Sequence, residues 1–230
     1  EHWRIKLKLD VLILAGGLGT RLKDVWGGPK CLVPVGGNPL LHRLLDAVAP
    51  LRPRIVALAL GHRADEVNKW LETLHQVDHD LGGPTNTWPW PFDMSSVIED
   101  KPLGTAGAVR NAVFHSLLGL EAPLLVLNGD TLPQYDLSEF AKFHHTCMYY
   151  DQQVTTVTWS QDRLAGGVII GARKLGEIER SSASNLDEFL DSDCIQCVVS
   201  DFLDVGTPEG FKEAQQLKPA SYDAVNDGII

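Results

Sequence analysis

The residues of this chain best equipped for chemistry are cations and carboxylates set beside glycines. Leu14-Ala15-Gly16-Gly17-Leu18-Gly19-Thr20-Arg21-Leu22 is followed by Pro29-Lys30. Glycines carry no Cβ, so backbone N–H groups there can approach a phosphate. Arg21 can clamp oxygens bidentately, and Lys30 can neutralise charge as it develops. The spacing is not a dinucleotide fingerprint, because G-x-G-x-x-G fails at Leu22, and not a P-loop, because no Gly-Lys-Ser/Thr follows. The bland alternative is a tight turn with two surface cations. Asp130 and Asp204 each end an apolar run. Two hard oxygen ligands beside nucleotide phosphates suit Mg²⁺. Taken singly, Asp130 is a turn residue and Asp204 a helix cap before Gly206-Thr207-Pro208. Gly104-Thr105-Ala106-Gly107-Ala108 puts small residues at a helix start, which lets a flat base approach or a helix pack closely.

An alternating scaffold must carry these groups. Short apolar runs predict strands over 11–14, 54–60, 96–99, 123–127, 154–159, 168–170 and 195–205. Helical spacing predicts helices from Leu40 to Val48, over 64–75 and 105–118, over 136–145 with Asp136 as cap, over 185–190, and from Pro208 onward. The early strands are continuously apolar. The expected fold is therefore α/β: three α/β/α layers, Rossmann-like, around a mostly parallel sheet. With no repeat or linker visible, residues 1–230 read as one domain. Ligands in such sheets sit beyond the carboxyl ends of the strands. The motifs after Leu14, Leu127 and Leu203 should therefore converge.

Composition narrows the function. Hydrophobic residues are 44% and charged residues 22%, so the chain is globular rather than disordered. Twenty basic against thirty acidic residues give a net charge of −10. That speaks against nucleic acid or an anionic membrane as partner. No run is apolar enough to span a bilayer. Glu1-His2-Trp3-Arg4 is not a signal peptide, and the missing initiator Met suggests a trimmed or processed chain. The cysteines Cys31, Cys147, Cys194 and Cys197 form no disulfide framework, which reads as a reduced, cytoplasmic protein.

The glycine-rich segment resembles the signature of the sugar-1-phosphate nucleotidyltransferases. Three further segments match that family in order: Glu99-Asp100-Lys101-Pro102-Leu103-Gly104-Thr105-Ala106-Gly107-Ala108, Leu127-Asn128-Gly129-Asp130 and Asp204-Val205-Gly206-Thr207-Pro208-Glu209. The resemblance implies an NTP and a sugar-1-phosphate as partners, with NDP-sugar and pyrophosphate as products. It implies Arg21, Lys30 and Asp130 as catalytic residues, and Mg²⁺ held by Asp130 and Asp204. Nucleotide would be bound by Leu14, Ala15, Gly16, Gly17, Gly19, Thr20, Glu99, Gly104, Thr105 and Asn128. The wording lies nearest the heptose-1-phosphate guanylyltransferase and N-acetylmuramate-1-phosphate uridylyltransferase branch. GTP and heptose-1-phosphate are the favoured pair, with UTP or dTTP as alternatives, and the oligomeric state is left open.

The sugar side departs from the family. Ser160-Gln161-Asp162-Arg163-Leu164 runs at once into Ala165-Gly166-Gly167-Val168-Ile169, without the family's Glu-Lys-Pro hairpin, Asn or Tyr. Either a hairpin is missing from this stretch or the protein is a minimal variant. Gly166, Gly167 and Arg163 are the remaining candidates for the sugar phosphate, Arg163 as its cation. The departure keeps a non-catalytic, nucleotide-sugar-sensing homologue in view. A molybdopterin or alcohol-phosphate nucleotidyltransferase is a nearer relative, and a dinucleotide oxidoreductase is disfavoured by the failed spacing. Other features read as structure. Cys194 and Cys197 should point to opposite faces of a strand. His75 with His79, and His144 with His145, should sit at helix ends. Trp88 and Trp90 should anchor a loop.

Overall fold

Strands apolar on both faces must be covered on both faces, and here helices do the covering. The computed structural model describes residues 9–80, 89–116, 118–150, 154–160, 162–190 and 194–217. The first half of the chain holds β1 (Asp10–Leu14), β2 (Pro34–Val35), β3 (Asn38–Pro39), α1 (Leu40–Val48), β4 (Ile55–Leu60), α2 (Ala64–Asp80), β5 (Asp93–Ile98) and α3 (Gly104–His115). The second half holds β6 (Leu124–Asn128), β7 (Thr131–Pro133), α4 (Leu137–Tyr150), β8 (Thr156–Ser160), β9 (Arg163–Ile170), α5 (Ala172–Arg180), β10 (Ile195–Val198), β11 (Phe202–Asp204) and α6 (Pro208–Ala214).

Seven strands form the central sheet in the order β10-β8-β9-β6-β1-β4-β5. β1 runs parallel to β4 and β6, β4 to β5, and β8 to β10; β9 is antiparallel to both β6 and β8. Pleating sends alternate side chains to opposite faces. Val11 and Ile13 join the core under α1, α2, α4 and α6, whereas Leu12 joins the core under α3 and α5. All three are fully buried, which stabilises by about 1.5–3 kcal/mol per side chain. The three-layer expectation is met. From β1 the chain moves outward through β4 and β5, then returns to place β6 on the other side of β1. The order reverses between β1 and β6, and a crevice opens at such a reversal. At the opposite end of β1, the buried Asp10 carboxylate accepts from Arg54 (2.6 Å) and from the Gly119 amide (3.2 Å), tying the lower rim together.

Several elements differ from their sequence expectation. The strand expected over 195–205 is two: β10 extends the main sheet beside β8, and β11 leaves it to pair with β7. Ser200 and Asp201 separate them, bonding to Gln134 instead of continuing a ladder. β7 and α5 have no counterpart in the sequence reading. α3 stops at His115 because Ser116 is extended and its hydroxyl bonds back to Ala112 O. α2 continues to Asp80, so His75 and His79 lie within a helix; their side chains fall outside the described residues.

α4 likewise runs on to Tyr150, which places His144 inside a helix and not at its end. His144 is 1% exposed, its Nδ1 lies 3.0 Å from the Thr156 hydroxyl, and Nε2 has no partner among the described residues. Burial, then the neighbouring His145, push its pKa down from 6.5 to about 4. The unfolded chain therefore takes up this proton first as pH falls. The stability held by neutral His144 is complete above about pH 6.5 and is lost as pH falls toward 4. By about pH 5 the loss should be about 2 kcal/mol. Urea midpoints measured from pH 7.5 to 5 should show this slope in the natural chain and a flatter one in His144→Phe.

Candidate functional site

β1 and β6 end level, with Leu14 opposite Asn128, and the Gly129 amide closes their tips by donating to Leu14 O (2.9 Å). A cleft of about 310 Å³ opens there. Leu14, Gly16, Gly17, Glu99, Gly104, Thr105 and Asn128 line it from the expected nucleotide residues, and Asp130 stands at its edge. Ala59, Pro102 and Ala108 complete the walls. Pro102 and Ala108 lie inside the quoted motif, and Ala59 was findable as the carboxyl end of the strand beside β1. Ala15, Gly19 and Thr20 take other places: the Ala15 amide donates to Ala59 O (2.8 Å), Gly19 begins the turn behind the Lys30 stem, and Thr20 opens an exposed 3-10 turn. A hollow of about 320 Å³ beside Arg43 and Asp46 is of similar size but holds none of these residues.

The four charged residues meet as expected. Lys30 Nζ lies 3.0 Å from Asp130 Oδ2. Arg21 spans both acids, Nη2 at 3.9 Å from Asp130 and Nη1 at 3.8 Å from Asp204. Those longer contacts, on a side chain 54% exposed, leave the guanidinium free to swing toward an incoming anion. The β7–β11 ribbon brings the acids together: Asp204 pairs with Thr131, and the Val205 amide donates to Asp130 O (2.9 Å). Asp204 is not the helix cap. Thr207 caps α6 through the Gly210 amide, while the Gly206 amide (2.9 Å) aims the Asp204 carboxylate.

This arrangement fits a divalent cation. A Cβ at Gly206 would stand 2.7 Å from Asp130 Oδ2, 2.9 Å from Asp204 Oδ1 and 2.9 Å from Lys30 Nζ. The bare Cα therefore keeps a space among three charged ends. No group of three or more acidic, His or Cys ligands occurs among the described residues. Mg²⁺ here would take Asp130 and Asp204, with further oxygens supplied by phosphate and water.

Glu99 lines the cleft just after the edge strand β5, three strands across the sheet from β6, which leads to Asp130. One carboxylate oxygen accepts the Leu103 amide (3.2 Å). Burial raises the carboxyl above its ordinary range, and that hydrogen bond partly offsets the rise. On the other side, β8 and β9 pair directly with Ser160 opposite Arg163, and Asp162 turns at φ 59°. Arg163 lies over the Phe202 ring, 4.4 Å from its centroid. Gly166 packs on Thr131, and Gly167 exchanges hydrogen bonds of 3.0 Å with the Thr158 hydroxyl. Tyr135, absent from the sequence reading, donates toward Thr158 and Ala165 O, both 3.3 Å away. Burial pushes its pKa up to about 12, so it stays a protonated brace under this hairpin.

The readings without function also find their places. Cys194 packs against the α3–α5 core and Cys197 against the opposite one, so they face apart. Trp90 is buried, and its indole N–H donates to Asp46 (2.8 Å), which anchors the loop; Trp88 lies outside the described residues.

A mostly parallel sheet with a glycine-rich loop and a cation–carboxylate cluster at its switch point places the chain in the α/β class. The chain belongs to the MobA-like NTP transferase domain family, whose model matches residues 11–193. It is 34% identical to the bifunctional protein GlmU of Trichormus variabilis over 138 residues, 59% of this chain and 26% of that protein. It is 33% identical to the mannose-1-phosphate guanyltransferase of Kluyveromyces lactis over 135 residues, 58% of this chain and 34% of that protein. These matches span about a quarter to a third of the curated relatives' length. The fold is shared with HddC from Yersinia pseudotuberculosis complexed with GMP-PN, at a TM-score of 0.65 and 24% identity, covering 89% of this chain and 97% of that one. The resemblance read from the motifs therefore holds at family level. Among the described residues no helix is long and apolar enough to cross a membrane.

Gly206→Ala should separate the cluster from the fold. A methyl group among the three charged ends should weaken binding of a Mn²⁺–nucleotide complex about tenfold or more, with the melting temperature within about 2 °C of the natural chain. Metal-dependent nucleotide titration and thermal melting check both halves.

Proposed function

We propose that the chain, acting as a single domain, transfers a nucleotidyl group from an NTP to a sugar-1-phosphate, giving an NDP-sugar and pyrophosphate. The observation that carries this reading is the meeting of Arg21, Lys30, Asp130 and Asp204 at the mouth of a cleft walled by the glycine-rich loop and α3. The acceptor phosphate is already anionic, so no general base is required. Its oxygen attacks the α-phosphorus in line, and the bond to the leaving pyrophosphate breaks. Catalysis is then positioning and charge neutralisation. Arg21, exposed and loosely held, swings to the leaving pyrophosphate. Lys30, fixed against Asp130, faces the reacting phosphates. Asp130 and Asp204 would hold Mg²⁺, which would supply charge neutralisation at the reacting phosphates. The cytoplasm is the compartment we favour, in keeping with four cysteines all present as free thiols.

GTP is the favoured nucleotide. Guanine presents adjacent N–H donors on one edge, and Glu99 offers carboxylate oxygens in the cleft from the β5 side of the sheet, across from the cluster after β6. The likeness to mannose-1-phosphate guanyltransferases points the same way. Heptose-1-phosphate is favoured as acceptor on motif resemblance.

Pyrophosphate release should be measured with Mg²⁺, the four common NTPs and dTTP, against heptose, mannose, glucose and N-acetylmuramate 1-phosphates. Turnover with one pair is expected. Silence across the panel with nucleotide still bound would instead support the nucleotide-sugar sensor. Asp130→Asn and Arg21→Ala should each lower kcat at least about a hundredfold, and near-normal turnover in either would refute its role. Glu99→Gln replaces an all-acceptor group by one acceptor and one donor. It should lower the GTP-to-UTP ratio of kcat/KM about tenfold or more, and an unchanged ratio would remove Glu99 from base selection.

A further inference from the structure

The nucleotide wall formed by α3 does not stand alone. After α5, the chain over 181–186 lies against the first turn of α3. Ser184 O accepts the Ala106 amide (2.9 Å), an N–H that would otherwise be left orphaned at a helix start. The Leu186 amide donates to the Thr105 hydroxyl (2.8 Å). The two segments meet so closely that a Cβ on Gly104, whose φ is +73°, would stand 2.3 Å from Ser184 O. Gly104 thus serves backbone contact with this strap as well as access to the cleft.

One side chain fastens the strap. Arg110, two residues along α3 from the cleft-lining Ala108, donates through Nη1 to Ala183 O (2.6 Å) and to the Ser181 hydroxyl (3.2 Å). The segment it grips is short and caps itself at the far end, where Asn185 and Glu188 form a reciprocal box. The strap is therefore pinned at 181–183 by Arg110, at 184 and 186 by α3, and at 185 by its own turn. Gly104 and Thr105, which this strap touches, are cleft residues. Arg110 is absent from the cleft lining.

We propose that Arg110 is a positioning residue for nucleotide binding: it clamps the 181–186 strap onto the first turn of α3, and the clamped strap fixes the wall against which the base lies. The proposal rests on the nucleotide-binding reading of the cleft. Arg110 reaches none of the reacting groups, so it acts on affinity and leaves the charged cluster unchanged.

The test compares the natural chain with Arg110→Ala and Arg110→Lys in three measurements: amide hydrogen exchange without ligand, equilibrium binding of Mg²⁺–GTP and Mg²⁺–UTP, and pyrophosphate release. Arg110→Ala should speed exchange at the Ala106 and Leu186 amides. It should raise nucleotide Kd and KM about tenfold while kcat stays within about threefold. Arg110→Lys keeps one charged donor and should recover part of the affinity. A melting curve excludes general unfolding, and Ser181→Ala, which removes only the weaker contact, serves as the mild second variant. Unchanged exchange at Ala106 and Leu186, or faster exchange with unchanged nucleotide Kd, overturns the clamp. A fall in kcat with KM unchanged overturns it too. A natural chain that binds nucleotide but releases no pyrophosphate sinks the transferase reading and leaves the clamp to be judged on exchange and affinity. A natural chain that binds neither nucleotide sinks both.

Discussion

Two carboxylates held at one rim repel each other, and the site depends on how that repulsion is met. Asp130 and Asp204 arrive on different strands, and the β7–β11 ribbon locks them side by side through the Asp204–Thr131 register. Lys30, largely buried, pairs with Asp130 at 3.0 Å, and Arg21 spans both acids. Two positive and two negative groups leave the cluster formally neutral before any ligand arrives. Gly206, lacking a Cβ, keeps a space open between the two acids and Lys30. Arg21 is the loosest member of the cluster, because its contacts to both acids are long and solvent-screened.

The switch point explains why this cluster and the base wall face one crevice. β1 must pair with β4 on one side and β6 on the other, and the connections leaving those strands diverge. Backbone forms much of the walls, since the Gly129 amide bonds Leu14 O and the Ala15 amide bonds Ala59 O. Such walls are rigid because moving them breaks ladder hydrogen bonds. The α3 wall is held to the sheet by side-chain packing rather than by ladder bonds, and at its first turn by hydrogen bonds to 181–186.

The supporting layers divide the work differently. The core under α1, α2, α4 and α6 holds the larger side chains, including Phe140 and Trp90. The core under α3 and α5 is built with more alanine, from Ala57 and Ala59 to Ala106, Ala108 and Ala112. Small residues bring α3 close to the sheet and so narrow the cleft. His144, buried beside Thr156, belongs to the scaffold and not to the chemistry.

Periodicity and composition made the main strands and helices legible, because continuous apolar runs can be satisfied only in a covered parallel sheet. The carboxyl ends of those strands then located the glycine-rich loop, Asn128 with Asp130, and Asp204. Local signals failed where partners are distant. β7 and β11 are three residues each and exist as strands through each other, so the run over 195–205 read as one strand. α5 carries Gly176 amid charged residues, which weakens its helical signature until Leu175 and Ile178 are seen in the core. Which of Asp204 and Thr207 caps α6 could not be read locally either, since both can accept a backbone N–H. Residue type and order thus determined the sheet, its ligand-bearing rim and the charges on it. Tertiary structure alone decided the pairing of the two aspartates, the brace of Tyr135 and the grip of Arg110 on the strap. Each of these is a contact between residues far apart in the chain, whose partner a local pattern does not encode.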